Sequence, residues 1–230
     1  MLINIIYVAY KGVYMIKRLI FDVDNTLIDW EDDYWDSLEL VFRDLGIQSN
    51  ENLKNTIITA IDNYEKSNIY YSKQKMLQCI NDKLEEKLPY DFIELCLKYF
   101  EKCISKNVDK EIINTLEYLS NKYEIVVLTN WFKEEQVERL KNAGMLKYIK
   151  EVYAPETFKT KPHPESYITA IDEHNPDECI MIGDNIITDI NGALNAGLKA
   201  IYYDKTAKEE KKDNGKYITI NKISKLMDIL

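Results

Sequence analysis

Three apolar runs in this chain end in residues that can handle a charged ligand. RLIFDV (18–23) leads into Asp22-Val23-Asp24-Asn25-Thr26, EIVVLTN (124–130) ends in Leu128-Thr129-Asn130, and CIMIGDN (179–185) ends in Gly183-Asp184-Asn185, with Asp189 one helical turn further on. Short, nearly continuous apolar runs are expected of buried parallel strands. In an open parallel sheet, ligands bind beyond the carboxyl ends of the strands. If these strands are neighbours, Asp22, Asp24 and Asp184 share one crevice with the Thr129 hydroxyl. A single Asp or Thr after a strand is more often a cap or turn residue. It is the combination that points to a site.

Clustered carboxylates repel one another unless something neutralises them. A hard divalent cation with oxygen ligands does so, and Mg²⁺ suits one or two carboxylates together with a substrate phosphate. Lys161, in Lys159-Thr160-Lys161-Pro162, adds a fixed positive charge from a loop between strands. Carboxylate, cation, lysine and hydroxyl together match what a phosphoryl group in transfer requires. In that reading Asp22 stays ionised and attacks phosphorus, forming an aspartyl phosphate. Asp24 is held protonated beside the leaving oxygen, donates that proton, and later takes one from water.

The elements that must position these groups follow from hydrophobic spacing. Between residues 31 and 105 the chain shows four helical stripes and no convincing strand. These are Tyr34/Leu38/Val41/Phe42/Leu45 closed by Gly46, Leu53/Ile57/Ile61/Tyr64, Met76/Leu77/Ile80/Leu84/Leu88 stopped by Pro89, and Phe92/Ile93/Cys96/Leu97/Phe100/Ile104. Spacings of three and four residues mark one helix face. After Val108 helix and strand alternate: helices at 112–119, 134–142, 165–174 and 186–196, strands at 124–130, 151–154, 179–185, 198–203 and 217–220, and a final helix. Alternation of this kind predicts an α/β fold, a parallel sheet covered by helices on both faces. A helical insertion interrupts it just after its first strand.

Composition excludes several function classes. The 230 residues are 46% hydrophobic and 30% charged, ordinary for a globular protein and too apolar for a disordered one. Only 7 Gly and 5 Pro argue against a meander of short strands. A net charge of −9 with no dense basic stripe makes nucleic acid an unexpected partner. Cys79, Cys96, Cys103 and Cys179 form no Cys-x-x-Cys, and no His stands at zinc-like spacing from them. They are expected to be reduced thiols in the cytoplasm, packed as small hydrophobes. MLINIIYVAY (1–10) is too short to span a bilayer and makes a poor signal peptide. With Met15 beginning MIKRLIFDVDNTL, residues 1–14 are expected to be an upstream extension, with an added edge strand as the second reading. No membrane association is expected, and a monomer is the default.

DVDNT (22–26), LTN (128–130), KP (161–162) and GDNIITD (183–189) together resemble the four ordered motifs of the haloacid dehalogenase-like hydrolase superfamily. Each is short; all four in order, three directly after a buried strand, form a strong signal. The resemblance implies a Rossmann-like core from residues 1–29 and 106–230, with residues 30–105 as a helical cap. It implies Asp22 as nucleophile and Asp24 as general acid and base. It implies Mg²⁺ held by the Asp22 side chain, the Asp24 carbonyl and Asp184, with Asp189 supporting the metal or the lysine. Thr129 and the Asn130 amide would bind phosphate, and Lys161 would bridge phosphate and nucleophile. The branch that splits carbon–halogen bonds lacks a second Asp two residues after its nucleophile, so Asp24 favours phosphate chemistry. Three activities stay open: a phosphatase, a phosphomutase, and a non-catalytic phosphate-binding module.

Several residues carry a plainer reading beside the functional one. His163, between Pro162 and Pro164, and His174 are expected at the surface. Trp30, Tyr34, Trp35, Tyr64, Tyr70 and Tyr71 are core aromatics before they are substrate contacts. A phosphonate-cleaving relative would need a cap lysine for an imine, and Lys54, Lys66, Lys73 and Lys75 do not stand out. The KEEKK run (208–212) reads as a solvated loop. The substrate is expected to be a small phosphorylated metabolite: a nucleoside monophosphate, a sugar phosphate or phosphoglycolate.

Overall fold

Strand β1 (Arg18–Phe21) is buried along its whole length, as its apolar sequence requires. It pairs in parallel with β2 (Glu124–Leu128) on one side and β4 (Cys179–Gly183) on the other. The computed structural model describes residues 15–29, 33–67, 69–102 and 108–230. The proposed extension at 1–14, Trp30 and Cys103 lie outside these, as does the Tyr34 side chain. With β3 (Glu151–Tyr153), β5 (Lys199–Tyr203), β6 (Lys211–Asp213) and β7 (Ile218–Ile220), the sheet runs β3-β2-β1-β4-β5-β7-β6. All pairings are parallel except β6–β7. Strand order reverses direction at β1, which opens a crevice at its carboxyl end between β2 and β4.

Side chains alternate across the sheet with a period of two. Leu19, Phe21, Ile125, Val127, Ile180 and Ile182 face one way. They pack on α6 (Lys110–Ser120), α7 (Lys133–Asn142) and the terminal α10 (Leu226–Ile229). Ile20, Val126, Leu128, Cys179 and Met181 face the other way, onto α8 (Pro164–Ile171) and α9 (Gly192–Asn195). This is the α/β fold with both faces covered that the alternating pattern predicts.

Between β1 and α6 the chain forms α1 (Asp33–Asp36), α2 (Leu38–Leu45), α3 (Glu51–Ser67), α4 (Lys73–Asn81) and α5 (Phe92–Phe100). Their apolar stripes bury a separate core around Phe42, Ile57, Ile61, Tyr64, Ile80 and Phe92. Gly46, at φ 65°, ends α2 in the left-handed conformation that glycine adopts without a Cβ penalty. Trp131 and Phe132, which follow β2, join this core, and Tyr71 meets both rings edge-on at 6.1 and 5.4 Å. Backbone bonds from Tyr71 to Pro155 and from Thr160 to Ile69 tie the helices to the loop after β3.

The structure departs from the predicted boundaries in identifiable ways. The third stripe is helical only to Asn81, because the Asn81 amide turns back to bond both backbone groups of Leu88 at 3.1 and 2.8 Å. The helix from Pro164 stops at Ile171, where Asp172 takes φ 57°. Residues 186–196 begin as a π-helical turn (Ile186–Asn191) before the short α9. Lys211 and Lys212, read as loop, belong to the exposed antiparallel edge strand β6, where charge blunts an open sheet edge. Among the described residues, no helix is long and apolar enough to cross a membrane. Phe92, fully buried and stacked on Phe42 at 6.4 Å, anchors the helical core. Phe92→Ala is expected to cost about 3–5 kcal/mol of stability, read as a lowered midpoint in urea denaturation.

Candidate active site

The three polar strand ends meet at the crevice. Phe21 is level with Val127 and with Ile182, so Asp22 emerges beside Leu128 and Gly183, with Thr129 and Asp184 one residue further on. The Asp22 N–H donates to Ile182 O at 2.9 Å, and the chain then turns sharply. Thr26, Leu27 and Ile28 all donate to Val23 O, and Asn25 takes φ 59°, which Asn tolerates better than most residues. The tight turn holds Asp22 and Asp24 in the wall of a cleft of about 430 Å³. Asp22, Asp24, Thr129, Asn130, Lys161, Asp184 and Asp189 all line it.

At its floor, the buried Lys161 Nζ donates to Asp22 Oδ1 at 2.6 Å and to Asp189 Oδ1 at 2.7 Å. Asp189 also accepts from the Asn185 N–H at 3.0 Å, while the Asn185 side chain caps the π-helical turn through Ile187 and Thr188. Asn130 holds the lysine loop from the other side. Its Nδ2 donates to Lys161 O at 2.8 Å and its Oδ1 accepts from Lys161 N at 2.7 Å. The Asn130 side chain therefore positions Lys161 directly. The Thr129 hydroxyl lies buried at the cleft wall, and the Thr26 hydroxyl reaches Asp184 at 3.5 Å.

Carboxylate oxygens of Asp22, Asp184 and Asp189 lie within 4.8 Å of one another, a hard-oxygen set of the kind that suits a divalent cation. Burial pushes the Asp22 carboxyl up to about 8 against the pull of Lys161, with Asp189 and Asp24 adding repulsion. Burial and Asp189 push Asp184 up to about 6. Burial would lower the Lys161 ammonium, but Asp189 and Asp22 hold it above its ordinary value. The floor thus holds more negative charge than one lysine offsets, and a divalent cation fits that deficit.

The Asp24 carboxylate lies outside this cluster, bound by α7. Gln136 Nε2 donates to its Oδ2 at 2.8 Å and Arg139 Nη1 to its Oδ1 at 2.5 Å. Gln136 and Arg139 are fully buried, and Glu135 packs beside Arg139 with 3.6 Å between Oε1 and Nε. None of the three stands out in the sequence reading. A signal was present: KEEQVERLKN offers only Val137 and Leu140 as apolar residues, so polar side chains must complete its buried face. The cleft is also lined by Trp35, Trp131, Asp62 and Glu65, the last two on α3. Tyr64 and Tyr71 lie in the helical core instead, and Tyr70 is exposed. Lys54, Lys66, Lys73 and Lys75 do not line the cleft; Lys54 pairs with Asp36, and Lys73 with Glu94 and Glu134. His163 caps α8, accepting from Glu165 N at 3.2 Å, and His174 sits 3.3 Å from Glu124. Cys96 and Cys179 are buried free thiols and Cys79 is half-buried.

A mostly parallel sheet with a carboxylate and lysine site at its switch point defines an α/β protein with its ligand cleft at the strand ends. A sequence model of the haloacid dehalogenase-like hydrolases matches residues 19–203, and the chain belongs to that family. It is 22% identical to the HAD-hydrolase YfnB of Bacillus subtilis over 226 residues, covering 93% of this chain and 95% of that protein. It is 24% identical to the N-acylneuraminate-9-phosphatase of Rattus norvegicus over 210 residues, covering 82% of each. In fold it is similar to the crystal structure of YfnB bound to magnesium, with a TM-score of 0.70 at 20% identity over 94% of this chain and 99% of that one. It is similar also to the 2-haloacid dehalogenase of Pseudomonas syringae, with a TM-score of 0.68 at 24% identity over 94% and 98%.

Two outcomes follow from this geometry. A Cβ on Gly183 would run into the Asp189 carboxylate. Gly183→Ala should therefore displace Asp189 from Lys161 and weaken divalent-cation binding by roughly 10–100-fold, measured by titration calorimetry. Between pH 6 and 8 ordinary carboxylates are ionised in both folded and unfolded chains. Asp22, raised to about 8, still binds protons only when folded. Its contribution is therefore lost as pH rises, and the metal-free protein should melt at lower temperature at pH 8 than at pH 6. Asp22→Asn should reduce that slope, leaving the share of Glu65, which burial also pushes up to about 8.

Proposed function

We propose that this protein is a Mg²⁺-dependent phosphohydrolase that removes phosphate from a small phosphorylated metabolite through an aspartyl phosphate on Asp22. The observation that carries the reading is the buried Lys161 ammonium bridging Asp22 and Asp189 beside Asp184 and Thr129. That arrangement keeps one carboxylate in the cleft with a fixed cation beside it. Phosphatases and a magnesium-bound structure among the related proteins support the same reading. So does Asp24, the second carboxylate two residues after the nucleophile, which favours phosphate over carbon–halogen chemistry.

Bound Mg²⁺, held by Asp22 and Asp184 with Asp189 alongside, would offset phosphate charge during transfer. The rest falls to the chain. An Asp22 carboxylate oxygen attacks phosphorus, the ester P–O bond breaks, and Asp24 supplies the proton that the leaving oxygen takes up. Asp24 then accepts a proton from water, whose oxygen bonds phosphorus as the Asp22–phosphorus bond breaks and inorganic phosphate leaves. Thr129 donates to a phosphate oxygen while Lys161 holds Asp22 in place and offsets phosphate charge. Gln136 and Arg139 fix the direction in which Asp24 presents its carboxylate. Residues 30–105 act as the cap that shields this chemistry from bulk water.

The direct test is phosphate release from p-nitrophenyl phosphate with and without Mg²⁺. Release should require the metal, and Asp22→Asn should lower kcat by several orders of magnitude. Normal turnover by Asp22→Asn would end the proposal. Arg139→Met should lower kcat on the order of 10²-fold with KM little changed. Arg139→Lys should recover part of the loss, which a purely structural role would not produce.

A further inference from the structure

We propose that Tyr167 is a positioning residue for the reaction, its buried hydroxyl setting the place of Asp189 against Lys161. This rests on the phosphatase reading and adds a residue to the machinery of the same site. Lys161 and Asp189 meet at 2.7 Å, yet they come from different segments, the loop after β3 and the π-helical turn after β4. Neither segment is a strand, so sheet register does not align the two. The residues that do so stand behind the cleft wall, and Tyr167 is not among those lining it.

Tyr167 lies on α8, further along the segment that carries Lys161, and is wholly buried. Its phenol donates to the backbone oxygen of Thr188, which lines the cleft and directly precedes Asp189. That carbonyl shares a peptide unit with the Asp189 N–H, which donates to Asn185 O at 2.9 Å. The unit leading into Asp189 is therefore held at both ends, by the turn at its N–H and by α8 at its C=O. Asn185 makes two more bonds, accepting from Thr188 N at 3.1 Å and donating from its own N–H to Asp189 Oδ2 at 3.0 Å. All the Asn185 anchors belong to the turn itself. The Tyr167 hydroxyl ties that turn to the Lys161 segment.

Packing makes the same link. Gly192 opens α9 one turn past Asp189, and a Cβ there would run into the Tyr167 hydroxyl and into Pro162 Cβ, the latter at 2.9 Å. Its lack of a side chain lets this turn sit directly against Tyr167 and against the residue next to Lys161. Burial pushes the Tyr167 phenol above its ordinary value, and the charges of Lys161, Asp189 and Asp22 all reach it. The phenol therefore remains a proton donor at neutral pH. A functional carboxylate is held only as firmly as the groups around it, and here one hydroxyl carries the hold between two segments.

The test measures Mg²⁺ binding by titration calorimetry without substrate and, separately, turnover of p-nitrophenyl phosphate. Tyr167→Phe keeps the ring that fills the core and removes only the hydroxyl. It should weaken Mg²⁺ binding by about 10-fold, the lower end of what supporting partners of a metal site contribute. In saturating Mg²⁺ it should lower kcat with KM little changed. Ser166 supplies the control, since its buried hydroxyl lies on the same helix but donates to His163 O at 2.7 Å. Ser166→Ala should bind Mg²⁺ as the wild type does. Gly192→Ala should weaken binding as well, and adding Tyr167→Phe to it should cost little more, because both act through one contact. Wild-type affinity in Tyr167→Phe, an equal loss in Ser166→Ala, or additive losses in the double variant would overturn the role given to Tyr167, while wild-type hydrolysis of p-nitrophenyl phosphate kept the phosphatase reading intact. A wild-type protein that binds no Mg²⁺ and releases no phosphate would overturn the phosphatase reading itself.

Discussion

A buried ammonium between two carboxylates governs this molecule. Lys161, Asp22 and Asp189 are almost wholly removed from water, and removing one member of such a group leaves a charge stranded at a cost of about 3–5 kcal/mol. Much of the local structure serves to bring the three together. Asn130 grips the backbone of Lys161 through both ends of its amide. Gly183 leaves room for the Asp189 carboxylate where any side chain would collide with it. The π-helical turn that starts after Asn185 brings Asp189 back to the Asn185 N–H. Such turns are uncommon and concentrate at functional sites. The sheet supplies the remaining constraint, because only adjacent β2, β1 and β4 place Thr129, Asp22 and Asp184 in one row.

The helices between β1 and α6 join this floor through a few aromatic rings. Trp131 and Phe132 leave the end of β2 and insert into the helical core, where Tyr71 packs on both. Trp131 is thus part of that core and of the cleft wall at once. The helical core and the cleft wall therefore share one side chain. Lys73 adds a second link by bridging Glu94 on α5 and Glu134 on α7.

Sequence alone carried the sheet and the floor of the cleft a long way. Continuous apolar runs forecast the buried strands, and polar residues at their ends forecast where Asp22, Thr129 and Asp184 would gather, because strand order and register leave little freedom there. Helix ends were harder to foresee. Asn81 folds back on Leu88 through side-chain bonds that periodicity does not encode. The partners of Asp24 were the least legible part. Gln136 and Arg139 sit on a helix so rich in polar residues that it reads as solvated, and only the sheet beneath it turns that face inward. Asp62 and Glu65 were missed for a related reason: on α3 they fall outside the apolar stripe, and the surface they face is a cleft.

This separation of readable from unreadable residues follows a physical division of labour. Groups proposed to touch phosphorus sit at strand ends, where backbone hydrogen bonding fixes positions closely and geometry can be held through the reaction. Asp62 and Glu65, which line the same cleft, sit on the inserted helix α3 and are free of that constraint. Charge follows the same division. At the floor each carboxylate has a lysine, an arginine or a candidate cation site to answer it. On α3 Asp62 and Glu65 make no ion pair among the described residues, and Glu65 feels Lys66 only as a neighbouring charge. Burial of that crowded group pushes the Glu65 carboxyl up to about 8, with Asp62 and Asp24 adding repulsion and Lys66 opposing it.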